Sequence, residues 1–162
     1  GAAPVPPGPT GARRAGVGPE VPVLELPHSH DLARKALRFT AEGTEADPGP
    51  RIVHAEELGG LILLADLAGP GTPPVPDVLA LEAAAAQAPW AVATFQAVAF
   101  APSLRAAATE LNLHHSTLQE RLGRAERWLG WTVHDPRGRL RLQVALALRR
   151  LHRGGPREGQ GA

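Results

Sequence analysis

The sequence contains no cysteine, no methionine and no tyrosine among its 162 residues. Without cysteine it has no disulfide, no thiolate nucleophile and no cysteine-ligated zinc, which suits a reducing cytoplasm. No apolar run approaches the roughly 20 residues needed to span a bilayer, and the N-terminus lacks the apolar core of a signal peptide, so a membrane is not an expected partner. Aromatic residues are few, and Trp90, Phe95, Phe100, Trp128 and Trp131 all fall in the second half of the chain. A core must therefore be built mainly from Leu, Val and Ala, with the better-packed part after residue 89. With no methionine and a start of GAAPVPPGP, the sequence reads as a piece excised from a longer protein.

The chemistry of catalysis is equally thin. Ser29 stands between His28 and His30, but sequence neighbours rarely form a nucleophile and base, and no G-x-S-x-G elbow frames it. GPGTPP, residues 69–74, lacks the lysine and the helix start of a phosphate loop. Histidines at i, i+2 (His28, His30) or adjacent (His114, His115) cannot share one face of a helix, and no acid near them completes a ligand pattern. No enzyme activity, catalytic residue, cofactor or metal is expected.

What the chain does have is asymmetry of charge. Residues 1–89 carry six basic and eleven acidic side chains, a formal −5, whereas residues 90–155 carry ten arginines and four acids, a formal +6. An electropositive second half suits a phosphate backbone.

Composition also divides the chain. Residues 1–22 hold six Pro and five Gly without periodicity, a composition that buries too little apolar surface to offset ordering entropy, and read as a disordered Pro/Gly-rich segment. Residues 23–69 have partial α/β character, with an extended VLEL, a helix near His30–Thr40 and then RIVHAEELGGLILLADL. Residues 70–76 form a stiff proline-rich linker. A helical domain over 77–155 follows, with Asp77 as the cap of its first helix, and 156–162 form a disordered tail. The fold class expected is mainly α.

Within that domain, Ser103–Gly130 reads as two helices joined by a tight turn, the layout of a DNA-binding helix-turn-helix. Ser103 can cap the first helix after Pro102, and Ala108 lets a second helix cross closely while Asn112 takes the positive φ of the turn. Ser116 or Thr117 can cap the second helix, in which Leu118, Leu122, Ala125 and Leu129 recur at helical spacing and face inward. Ser116, Gln119, Glu120, Gly123, Arg124 and Arg127 then face outward, where base edges or phosphates could meet them. Asp135–Pro136 is a strong start for the last helix. In that helix Leu140, Val144, Ala147 and Leu151 make one stripe, expected under the two-helix motif. Leu142, Ala145 and Leu146 make a second stripe, to be covered either by the Val78–Gln87 helix or by a second copy in a two-fold dimer.

Over roughly residues 90–152 the sequence resembles the C-terminal domain of PucR-type bacterial transcription regulators, the group that includes the sugar-diacid regulators. The matching residues are Ala107–Ala108, Leu111, Leu113–His114, Thr117–Leu118, Arg121–Leu122, Glu126, Leu129–Gly130, Asp135–Pro136, Arg139–Leu140, Leu142 and Ala145–Leu146. The upstream order LARKAL, IVHAEELG and a Leu-rich helix resembles the end of the GGDEF-like central domain of the same regulators, truncated here. The resemblance implies a bacterial, cytoplasmic regulator that binds double-stranded DNA as a homodimer and responds to an effector metabolite sensed by a region outside this sequence. The residues expected to contact DNA are Ser103, His115, Ser116, Thr117, Gln119, Glu120, Arg121 and Arg124, with Arg127, Arg137, Arg139 and Arg141 flanking the groove. Where the family usually has Arg, Asn, Arg and Tyr, this chain has His115, Ser116, Gln119 and Glu120, so two cations are missing and one carboxylate is added. The competing reading is a degenerate helix-turn-helix that pairs with protein and leaves DNA alone.

Overall fold

A computed structural model describes residues 13–153. Residues 1–12 and the expected tail at 156–162 lie outside the described residues. The order of elements is a short strand β1 (Ala15–Val17), helix α1 (Leu26–Leu37), strand β2 (Ile52–His54), the single-turn helices α2 (Ala55–Leu58) and α3 (Leu64–Leu67), then five helices. These are α4 (Pro76–Gln87), α5 (Ala91–Phe100), α6 (Leu104–Glu110), α7 (His115–Leu129) and α8 (Pro136–Arg153). The architecture is mainly α, as expected. No helix among the described residues is long and apolar enough to cross a membrane.

Helix α5 is the axle of the larger core. Its sequence AVATFQAVAF is apolar almost all round, and Ala91, Val92, Thr94, Phe95, Ala97, Val98 and Ala99 are all buried, the pattern of a helix surrounded on every side. The one polar group in this set, the Thr94 hydroxyl, donates to the Trp90 carbonyl at 2.9 Å, which removes the cost of burying it. Around α5 pack Leu81 and Ala84 of α4, Ala107 and Ala108 of α6, Leu118, Leu122, Ala125 and Leu129 of α7, and Leu142, Ala145 and Leu146 of α8.

A second, smaller core gathers Ala36, Phe39, Val53, Ala55, Ala65 and Ala68 with Ala147 and Leu151 of α8. Phe39, the aromatic residue outside the C-terminal half, is 2% exposed there. Helix α8 thus belongs to both cores. Polar contacts follow the same seam: the Arg150 guanidinium donates to Gln96 Oε1 at 2.6 Å and to the Pro48 carbonyl at 3.1 Å. Its buried neighbour Arg149 forms an ion pair with Glu82 at 3.0 Å.

Four expectations are corrected. The segment 1–22, expected to be disordered, contains β1, which pairs in parallel with β2 through Ala15–Ile52, Gly16–Val53 and Val17–His54. Gly16 makes this possible, since a side chain there would strike the backbone of Ala33 and Leu37 in α1. The linker expected at 70–76 already gives up Pro76 to α4, whose first helical position proline suits because it has no N–H to satisfy. Asp77 therefore lies inside the helix and not at its cap. The two stripes of α8 are exchanged: Leu142, Ala145 and Leu146 face the helix-turn-helix core and are covered by α4 and α5 of the same chain. Leu140, expected beneath the motif, is 61% exposed, while Ala147 and Leu151 serve the second core. With the second stripe buried in the monomer, the apolar argument for a homodimer is gone.

Candidate nucleic-acid interface

The turn between α6 and α7 is built from four residues. Ser103 Oγ accepts the Ala106 N–H at 3.1 Å and opens α6, as expected of an N-cap. At the other end Leu113 N–H donates to the Ala108 carbonyl at 2.8 Å and Asn112 N–H to the Thr109 carbonyl at 3.1 Å. This is the paired bonding of a Schellman stop, and Asn112 supplies its left-handed residue with φ 52° where glycine is usual. Buried Ala107 and Ala108 keep the first helix thin at the crossing.

Helix α7 starts at His115, earlier than the expected Ser116 or Thr117, because His114 is its cap. The His114 Nδ1 accepts the Ser116 N–H at 3.4 Å and lies 2.8 Å from Ser116 Oγ. Inward, Leu118, Leu122, Ala125 and Leu129 are buried as the periodicity requires. Outward, His115, Ser116, Thr117, Gln119, Glu120, Gly123, Arg124 and Arg127 are exposed, and Arg121 is half-buried. Seven of the eight residues expected to contact DNA are thus brought together on or beside one helix; Ser103 is exposed but occupied as the cap of α6.

Behind α7, Glu126 holds the connection to α8. Its side chain accepts the Val133 N–H at 2.6 Å and pairs with His134 Nδ1 at 2.8 Å. Asp135 then caps α8 by accepting the Gly138 N–H at 2.9 Å and the Thr132 hydroxyl at 3.1 Å. Those two hydrogen bonds, the backbone one first, hold the Asp135 carboxyl below its ordinary pKa.

The arginines divide into two kinds. Arg141 donates twice to Asp77, at 2.7 and 2.8 Å, and lies over the Trp131 ring at 4.0 Å. A carboxylate neutralises it, so its expected place beside the groove is corrected to a structural tie between α8 and α4. Arg121 and Arg124 differ. Their guanidinium carbons sit 5.1 and 5.4 Å from the Trp90 ring centroid, and Arg124 is also 5.8 Å from Trp128. Neither forms an ion pair among the described residues. Sequence reasoning missed Trp90 and Trp128. The signal was present: Arg121, Arg124 and Trp128 recur at spacings of three and four and must share one flank of α7.

Two helices, a left-handed turn and an outward polar face define a helix-turn-helix domain. Residues 92–148 match the family model of the PucR C-terminal helix-turn-helix domain, which belongs to a family of transcription regulators. The match begins in α5 and ends in α8, and it does not reach the segment 23–69. No curated protein and no solved structure matches the chain.

Proposed function

We propose that the helical part of this chain binds double-stranded DNA in a sequence-specific manner, as the DNA-reading end of a bacterial transcription regulator acting in the cytoplasm. The observation that carries this reading is the outward face of α7: a solvent-exposed row of hydrogen-bonding side chains on the second helix of a helix-turn-helix, flanked by two arginines that no carboxylate among the described residues neutralises. Ser116, Gln119 and Glu120, in the first turns of α7, lie where a recognition helix meets base edges in the major groove. Gln can pair with adenine, and Glu can accept from the cytosine amino group. His115 and Thr117 border them, Arg121 and Arg124 are directed to phosphates, and the exposed Arg127 and Arg137 extend the positive rim.

A homodimer, an effector sensed by a region outside this chain and a GGDEF-like origin for residues 23–69 are supported by the resemblance alone. The deciding experiment is fluorescence anisotropy of random and enriched duplexes at two salt concentrations. Binding that falls steeply as salt rises, through release of condensed counterions, is expected. No binding to any duplex at low salt refutes the DNA reading in favour of a protein-pairing helix-turn-helix, for which Glu120 in the middle of the face is the favouring feature.

A further inference from the structure

We infer that Trp90 is a positioning residue for DNA phosphates, holding Arg121 and Arg124 in place along the flank of α7 without cancelling their charge. The inference rests on the DNA-binding reading above and deepens it. Trp90 stands at the start of α5, outside the segment that matches the family model.

Two arginines three residues apart on a helix repel one another, and the usual remedy is a carboxylate one turn away. Glu120, four residues before Arg124, has that spacing, yet the pair does not form, and Arg124 turns to the indoles instead. The Trp90 and Trp128 rings lie 5.7 Å apart at an interplanar angle of 38° and make a shared platform. The ring quadrupole attracts a guanidinium while leaving its full positive charge. Among the described residues neither arginine donates a side-chain hydrogen bond, so their donors are free for a bidentate phosphate contact. Arg141 provides the contrast within the same molecule: it also lies on a tryptophan, but Asp77 takes its donors and its charge. One arrangement binds the protein to itself, and the other keeps two cations ready and ordered, reducing the side-chain entropy lost on contact.

The test is a mutant cycle on the full chain, read by anisotropy with a random duplex. Trp90→Leu fills the site without a quadrupole and should weaken binding about three- to tenfold, whereas Trp90→Phe, which keeps an aromatic face, should stay within about twofold of wild type. Replacing both Arg121 and Arg124 with Ala should flatten the dependence of log affinity on log salt by about two units. In that background Trp90→Leu should have no further effect. Melting curves establish that each variant is folded, and Trp90→Phe reports on the ring if the leucine variant is not. A folded Trp90→Leu that binds like wild type overturns the inference and leaves the DNA reading standing if the arginine double variant has lost affinity. An equal loss from Trp90→Leu with and without the arginines also overturns it, since the indole then acts independently of them. Absence of binding by the wild type instead removes the reading on which it rests.

Discussion

At the scale of single residues, two carboxyls hold helix starts, Asp77 by a tie to distant Arg141 and Asp135 by bonds to its own neighbours in the chain. Asp77 is held below its ordinary pKa chiefly by its hydrogen bonds from Arg141, and Asp135 by those from the Gly138 N–H and then Thr132. Each therefore titrates lower in the folded protein than in the unfolded chain, which binds more protons at a given acidic pH. Their contribution is complete above the unfolded value of about 3.9 and is lost as the pH falls through the depressed folded values. Urea midpoints measured from about pH 5 down to 2 should fall in the acid range, and Asp77→Asn with Asp135→Asn should flatten that fall. An unchanged slope would mean these carboxyls are not perturbed in solution. Gly138 adds a steric constraint to the same cap. A side chain there would strike the Thr132 carbonyl, so Gly138→Ala, despite its better helix propensity, should destabilise by about 1–3 kcal/mol in thermal or urea unfolding.

At the scale of elements, the stop between α6 and α7 depends on one left-handed residue. Asn112→Gly should be tolerated, while Asn112→Val, which forces a β-branched side chain into positive φ, should cost about 1–2 kcal/mol by urea unfolding. Equal stability of the two variants would show that the turn relaxes to another conformation. This motif was legible because its rules are local: Ser103 caps, small alanines cross, Asn112 turns, and leucines repeat at helical spacing. The start of α7 was displaced because His114 capping depends on a ring nitrogen aimed back at Ser116, an orientation that spacing does not encode. Strand β1 was illegible for a different reason. Three residues, Ala-Gly-Val, carry no periodicity of their own and become a strand only when Ile52–His54 lies beside them. The outward face of α7 could be named from the sequence, but the Trp90 platform comes from another helix and required the packing of α5 on α7.

At the scale of the whole molecule, α8 decides how the chain is assembled. An 18-residue helix with apolar side chains on several sides can bury them within its own chain or against a second copy, and sequence periodicity does not distinguish the two. The packing does: Leu142, Ala145 and Leu146 are 0%, 1% and 3% exposed within one chain, while Leu140 is 61% exposed. A carboxylate at position 142 would be sealed under α4 and α5 without a partner, a cost of more than about 4 kcal/mol against a domain stability of about 5–15 kcal/mol. Leu142→Glu should therefore abolish or sharply lower the cooperative thermal transition seen by circular dichroism, whereas Leu140→Glu should change stability by less than about 0.5 kcal/mol. Were the stripe instead a dimer interface, Leu142→Glu would stay folded and sediment at half the mass of the wild type. That result would mean α4 and α5 do not cover α8 in solution, and the core drawn around α5 would have to be opened.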